Sequence, residues 1–248
     1  MPPPPAAAAP ASPSDAARTG FHTSISGCSV CTPKTTGAGS MTLPSRILAI
    51  LKPAYRCPEF DGVCSTMRWD PQQGHVPRGF VGAAGDPSEV ELVLVTAEPG
   101  DPHREEKHTG LESALGYATQ VLRDGRDLYH RNLRSIIDCC WPGMSFEHQQ
   151  RKFWLTDSVL CSAISEGGRV DRQIALTCGR RYLLAQLKLF EHALVVALGR
   201  KAQNRLGLLG VSNFLPIGSV APPGCNYPAV RQTWCQIPLE LQRRSSVN

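Results

Sequence analysis

Short apolar segments alternate with amphipathic ones along most of this chain, and that alternation strongly limits the folds it can adopt. The segments ELVLVTA (91–97) and HALVVALG (192–199) are apolar over four or more consecutive positions, which is typical of strands buried on both faces. Apolar residues recur at helical spacing over 109–125 and again over 175–190, so helices are predicted there. Strands that alternate with helices predict an α/β fold with a parallel sheet covered on both faces.

Two further strands complete the predicted sheet. One lies in RKFWLTDSVLCSA (151–163), around Trp154 to Leu160, and the last directly precedes SVAPPGCN (219–226). The segment RKAQNRLGLLG, which follows the strand at 192–199, is predicted to be a short helix. The resulting domain has three layers, α/β/α, around a central and mainly parallel sheet of four strands.

The composition changes at both ends of the predicted domain. Residues 1–43 are rich in Pro, Ala, Ser, Thr and Gly without any sustained period, so they are predicted to be a disordered leader. Residues 44–240 are predicted to form one domain, and residues 241–248 a flexible basic tail. Met41 is interpreted as the natural start of the protein, which mass spectrometry of its N-terminal peptides tests.

Charge, hydropathy and cysteine content narrow the class of protein. The formal net charge of +5 fits a polyanionic partner without requiring one. The sequence has neither a membrane-spanning apolar run nor a secretory signal, so a cytoplasmic protein without a membrane partner is expected. Ten cysteines in a reducing compartment indicate metal or redox chemistry more often than disulfides. No segment indicates an oligomer interface, so a monomer is expected.

Four predicted turns contain the candidate functional residues. Each turn follows a predicted strand, and the carboxyl ends of parallel strands meet at one edge of a sheet. We therefore expect the turns to form one site. They are TAEPGDP (96–102), TDSVLC (156–161), ALGRKA (197–202) and SVAPPGCN (219–226).

In this order, the turns resemble those of the uracil-DNA glycosylase superfamily, nearest to its iron–sulfur-containing branches. Those proteins have a Gly-Glu-Ala-Pro-Gly-like turn, a Thr-Asn strand followed by a cysteine, a helix with a second cysteine, a Val-Val-Ala-Leu-Gly strand and a His-Pro-Ser loop. The resemblance extends from about residue 46 to residue 235. It implies a DNA-binding repair enzyme that flips a damaged or deaminated base from DNA and hydrolyses its N-glycosidic bond in base excision repair.

The resemblance also implies roles for individual residues. Glu98 stands where members carry Asp, Asn or Ala, and would stabilise positive charge on the sugar or orient the attacking water. Asp157 replaces the Asn that reads uracil, and since an ionised carboxylate only accepts hydrogen bonds, plain uracil is not expected to be the best substrate. Contacts with the base or the DNA are implied for Ala97, Pro99, Gly100, Arg200, Lys201, Pro222, Pro223, Gly224 and Asn226.

Alternatives remain open for these residues. Glu98 is also compatible with a solvated turn carboxylate, and Asp157 with a helix cap or a partner of an arginine. Arg200 and Lys201 open a helix and form an anion site there, which Arg205 can join. Ala221 stands in place of the family's loop histidine, whose loss removes a donor worth about 3 kcal/mol in comparable enzymes.

Two other functions therefore compete with the glycosylase. One is a catalytically weak or inactive nucleic-acid-binding module of the same fold. The other is a hydrolase of nucleotides or other small molecules that uses the same sheet edge.

The cysteines are assigned by the same resemblance. Cys161 and Cys178 match the second cysteine pair of the iron–sulfur branches, and Cys57 and Cys64 are favoured for the first pair. Cys28 and Cys31 have a tighter metal spacing but lie in the leader. The implied cofactor is a [4Fe–4S] cluster, with zinc as the alternative. The remaining cysteines expected to pack in the core are Cys139, Cys140, Cys225 and Cys235.

The segment DPHREEKHTG (101–110) is interpreted as surface. Its histidines, His103 and His108, are five residues apart, a spacing that does not place two metal ligands on one helical face.

Overall fold

The computed structural model describes residues 43–246, and these residues form a domain with a mixed sheet of five strands. The predictions for the leader, including those for Cys28, Cys31 and Met41, lie outside the described residues. The strands are, in chain order, β1 (Val81–Gly82), β2 (Leu92–Thr96), β3 (Phe153–Asp157), β4 (Leu194–Leu198) and β5 (Leu215–Ile217).

The spatial order of the strands is β1-β3-β2-β4-β5. The four strands β2 to β5 run parallel, and β1 pairs antiparallel with β3 at the edge. The chain therefore leaves the central β2 for β3 on one side and later returns to β4 on the other. Such a change of direction opens a crevice at the carboxyl ends of the strands.

The α/β class is confirmed, whereas the expectation of four mainly parallel strands is corrected to a mixed sheet of five. The additional strand β1 has only two residues, so it leaves no apolar run in the sequence. Its Gly82 has a positive φ of 109°, and a Cβ at that position would lie 2.2 Å from the carbonyl oxygen of Phe153. The close approach to β3 therefore requires glycine.

Helices occupy the segments before, between and after the strands. They are α1 (Ser45–Leu51), α2 (Leu111–Asp124), α3 (Leu128–Cys140), α4 (Phe146–Lys152), α5 (Arg172–Cys178), α6 (Leu184–Leu189), α7 (Arg200–Leu208), α8 (Pro228–Trp234) and α9 (Gln236–Ser245). Successive side chains of β2 enter two different apolar clusters, with Val93 and Val95 in one and Leu92 and Leu94 in the other. This alternation places one core on each face of the sheet.

Several element boundaries differ from those expected. A π-helical turn, Gly179–Leu183, joins α5 to α6, so the helix predicted over 175–190 is interrupted. The strand predicted around Trp154 to Leu160 is observed as β3, which ends three residues earlier because the backbone bends over 158–160. The segment 241–248, expected to be a flexible tail, is helical as far as Ser245, and its Leu241 is buried. No helix within residues 43–246 has the length and apolarity required to cross a bilayer.

Candidate active site and four-cysteine cavity

Glu98 lies directly after β2, at the carboxyl edge of the sheet, and its side chain is only 4% exposed. Lys201 Nζ donates to Glu98 Oε1 at 2.6 Å, and Arg205 pairs with Oε2 at an N–O distance of 2.5 Å. The two cations are one turn apart on α7 and therefore share a face of that helix. A buried carboxylate of this kind is stable only because both oxygens are paired.

The loop after β3 covers Glu98. Lys201 Nζ also donates to the carbonyl oxygens of Gly167 and Gly168, at 2.9 and 2.8 Å. A Cβ on Gly100 would lie 2.8 Å from Glu166 Oε1, so this loop also packs against the turn that contains Glu98. A substrate reaches Glu98 only if the loop or the lysine side chain moves.

Asp157 ends β3, opposite Thr96 in the register of the parallel strands. It is buried, and the Thr96 hydroxyl donates a hydrogen bond to its Oδ1. Burial raises the pKa of Asp157 to about 7; the negative charge of Glu98 acts in the same direction, while the hydrogen bond from Thr96 lowers it. Near neutral pH this carboxyl group is therefore present in both protonated and ionised forms.

Gly79 makes room for the Asp157 side chain. It has a positive φ of 87°, and a Cβ there would lie 1.8 Å from Asp157 Oδ2. The backbone just before β1 therefore packs directly on the carboxyl group. This contact gives the short edge strand a part in shaping the site.

The loop after β5 lies at the same edge of the sheet. Its Ser219 packs between Gly199, which ends the turn after β4, and Gly224, and the Cβ positions of these two glycines lie 3.2 and 2.8 Å from Ser219 Cβ. The prolines Pro222 and Pro223 are exposed, as is Asn226. Within residues 43–246, no hydrogen bond or ion pair joins residues 221–226 to Glu98 or Asp157.

The other residues predicted to contact DNA divide into two groups. Arg200 is exposed, whereas Lys201 pairs with Glu98 and Arg205 is buried and also pairs with Glu98. Ala97 contributes its carbonyl oxygen, which accepts from Ser158 Oγ at 2.6 Å. Pro99 is buried and Gly100 is exposed.

The N-terminal part of α3 lines the site, which the sequence analysis did not predict. The Tyr129 hydroxyl lies 3.4 Å from Thr96 Oγ1, which in turn donates to Asp157. Asn132 Nδ2 donates to the carbonyl oxygen of Val220 at 2.8 Å. Helix α3 therefore contacts both the end of β2 and the loop after β5.

The segment 101–110, interpreted as surface, is partly buried. Glu106 and His108 are buried and lie 2.8 Å apart, between Glu106 Oε1 and His108 Nε2. The buried Arg78 lies 3.3 Å from Glu106 Oε1 through its Nε and donates to the carbonyl oxygen of Gly100 at 2.5 Å. These contacts connect the turn after β2 to the segment that precedes β1. The prediction that 101–110 lies on the surface is therefore corrected for Glu106 and His108.

The four cysteines assigned to a metal group line one cavity. Cys57 and Cys64 follow α1, Cys161 follows β3 and Cys178 ends α5, so three separate segments meet there. The apolar part of the lining includes Phe60, Met67 and Val159. Among the other cysteines, Cys225 is buried as expected, whereas Cys139, Cys140 and Cys235 are half-buried.

Burial favours the protonated form of three thiols of this cavity, those of Cys64, Cys161 and Cys178. Burial raises the pKa of Cys64 to about 11 and that of Cys178 to about 12, and neighbouring thiols raise that of Cys161 further. None of the four is in a disulfide. Within residues 43–246, no three His, Cys, Asp or Glu side chains are placed closely enough to hold a metal ion as they stand. Four thiols in an apolar shell nevertheless match the donor chemistry of a thiolate-bound metal group.

Comparison with protein-family models and with curated proteins finds no match to this chain.

Proposed function

We propose that the protein is a DNA glycosylase-like enzyme of the uracil-DNA glycosylase superfamily, which flips a damaged or deaminated base from DNA and hydrolyses its N-glycosidic bond. The observation that carries this proposal is the buried Glu98 carboxylate, fixed beside Asp157 at the carboxyl edge of the sheet. The apolar clusters on both faces of the sheet support the three-layer architecture of that superfamily.

Glu98 supplies the negative charge that the reaction requires. Water adds its oxygen to the sugar carbon C1′, the bond from C1′ to the base breaks, and the leaving base takes up a proton. Positive charge develops on the sugar in between, and a preorganised carboxylate stabilises it. Lys201 and Arg205 keep Glu98 in one position, so no reorientation is needed during the reaction.

Asp157 recognises the flipped base. In its protonated form the carboxyl group offers one donor and one acceptor, as the amide of Asn does, and it suits bases with a carbonyl beside a ring N–H. In its ionised form it only accepts, and it suits bases with an exocyclic amino group. Because the pKa of Asp157 is about 7, base preference changes with pH, and plain uracil is disfavoured above neutrality.

The four cysteines hold a [4Fe–4S] cluster in this proposal, with zinc as the alternative. The supporting observation is that the four thiols line one cavity. The group, when bound, joins the segment after α1 to the sheet and to α5.

A nucleic-acid-binding module without catalysis is the second candidate. It is favoured by the cover over Glu98, since both carboxylate oxygens are paired and the loop after β3 lies over them. In that case the exposed Arg200 and the loop with Pro222 and Pro223 contact DNA, and Glu98 serves only to fasten α7.

One assay separates the candidates. Oligonucleotides that contain uracil, hypoxanthine, xanthine or an alkylated base are incubated with the protein, and alkali reveals abasic sites. Strand cleavage after alkali supports the glycosylase. Binding of the oligonucleotides without abasic sites supports the silent module. Turnover of free nucleosides without affinity for DNA rejects both in favour of a small-molecule hydrolase.

A further inference from the structure

Tyr182 has a buried hydroxyl group with no hydrogen-bond partner among residues 43–246. The residue is only 4% exposed. An unpaired buried hydroxyl costs about 1–3 kcal/mol, so native proteins rarely keep one without a reason. Tyr55 shows the ordinary arrangement, because its hydroxyl donates to the carbonyl oxygen of Pro77 at 2.5 Å.

The hydroxyl belongs to the four-cysteine cavity. Tyr182 lines that cavity together with Cys57, Cys64, Cys161 and Cys178. It lies within the π-helical turn between α5 and α6, four residues after Cys178, which places both side chains on one side of the helix. Of the four thiols, that of Cys57 interacts most strongly with the Tyr182 hydroxyl.

The sulfur atoms of the cavity differ as hydrogen-bond acceptors before and after they bind a metal. A neutral thiol such as that of Cys57 is a weak acceptor. A metal-bound thiolate carries negative charge, and hydrogen bonds to charged acceptors are roughly twice as strong as neutral ones. The donor would therefore gain its partner only when the cavity holds its metal group.

We propose that Tyr182 donates a hydrogen bond to the metal-bound sulfur of Cys57 and thereby sets the retention and the reduction potential of the bound group. The inference depends on the proposed cofactor. Hydrogen bonds to cluster sulfurs raise the reduction potential, because they offset the charge added on reduction. Loss of such an outer partner typically weakens metal binding 10- to 100-fold.

The test compares Tyr182→Phe with wild-type protein and with the control Tyr55→Phe, which removes a hydroxyl already paired with Pro77. All three are reconstituted anaerobically with iron and sulfide. We expect Tyr182→Phe to bind the same amount of iron, to have a lower midpoint potential and to release iron to a chelator about tenfold faster. Tyr55→Phe should keep the potential and the release rate of the wild type.

The metal-free proteins supply a second measurement. Removal of an unpaired buried hydroxyl should leave the melting temperature of apo Tyr182→Phe equal to or above that of the wild type. A lower melting temperature would mean that the hydroxyl has a structural partner, and would reject the inference. Unchanged potential and release rate in holo Tyr182→Phe would also reject it while leaving the cofactor in place. Failure of the wild type to bind any metal would reject the cofactor and the inference together.

Discussion

At the scale of single residues, the ion pairs of Glu98 with Lys201 and Arg205 affect both the stability of the protein and the proposed reaction. The carboxylate and the Arg205 side chain are both buried, so water cannot take the place of either partner if the other is removed. Removing one partner of a buried pair leaves an uncompensated charge, which costs more than the pair itself contributes.

The substitution Glu98→Gln tests both aspects. We expect it to destabilise the protein by about 3 kcal/mol and to reduce base release about 100-fold or more. Thermal unfolding and single-turnover cleavage well below the melting temperature measure the two effects separately. The control Glu166→Gln makes the same change at an exposed carboxylate in the covering loop and should alter stability by less than about 0.5 kcal/mol. Full activity of folded Glu98→Gln would remove Glu98 from the reaction.

Asp157 makes stability depend on pH. Folded Asp157 keeps its proton up to a pKa of about 7, whereas an unfolded aspartate loses it near pH 4. The folded state binds more protons in between, so this residue costs stability as the pH rises from about 4 through 7, on the order of a few kcal/mol.

We therefore expect Asp157→Asn to raise the melting temperature more at about pH 8 than at about pH 5, because an amide cannot ionise. Differential scanning calorimetry at the two pH values measures this. Asp86→Asn is the control, since hydrogen bonds from Ser88 hold the pKa of Asp86 below its usual range and the group is ionised at both pH values. An equal shift for Asp157→Asn at both pH values would mean that the carboxyl group is not held protonated.

The sequence identified Glu98 because it directly follows a recognisable apolar strand and matches a family position, and Asp157 because it stands where the resembled family carries Asn. It did not identify Tyr129, Thr96 or Gly79 as their neighbours. Tyr129 contacts Thr96 across a gap of 33 residues in the chain. Contacts of this kind depend on how elements pack, and no local pattern encodes them.

At the scale of elements, the short segment 79–82, which ends with β1, depends on two backbone conformations available mainly to glycine. Gly79 and Gly82 both have positive φ, and both lie against β3. They allow a two-residue strand to close the sheet edge and cover Asp157.

Gly79→Ala is expected to destabilise the protein by about 3 kcal/mol or more, because its Cβ would overlap Asp157 Oδ2 in addition to straining the backbone. Gly143→Ala is the matched control, since Gly143 has a similar φ of 77° but nothing within 4 Å of the added Cβ. It should cost only about 1 kcal/mol. Urea denaturation gives both values. Equal costs would show that Asp157 is not packed under Gly79.

The sequence predicted the strands that are buried along nearly their whole length, and it missed elements that lack such a continuous apolar run. The strands β2 and β4 were found because each is apolar throughout. Helix α3 was missed although its signals were present, with Asp127 as the N-cap and Leu133, Ile136 and Ile137 at helical spacing. The π-helical turn was not predictable, because its sequence continues the amphipathic pattern of the helices around it.

At the scale of the whole molecule, the four-cysteine cavity connects parts of the chain that are more than 100 residues apart, since Cys57 lies 104 positions before Cys161 and 121 before Cys178. A metal group at this position would close large loops. Its binding free energy would therefore contribute to the stability of the N-terminal part of the domain.

We expect Cys161→Ser to lose the bound metal and the visible absorption that accompanies a cluster, and to make the segment around residues 45–69 more sensitive to protease. The control Cys140→Ser changes a half-buried cysteine that packs against the other apolar cluster, and it should retain both metal and resistance. Metal analysis, absorption spectra and limited proteolysis provide the readouts. Equal metal content in the two variants would exclude Cys161 as a ligand.

The two edge strands of the sheet also affect whether copies of the molecule can associate through their sheet edges in solution. At one margin β1 offers only two residues for pairing, and at the other β5 carries Pro216, which has no amide hydrogen to donate. A sheet whose margins present so few vacant backbone donors gives a neighbouring chain little to extend, and cross-β growth from this domain is disfavoured while it stays folded.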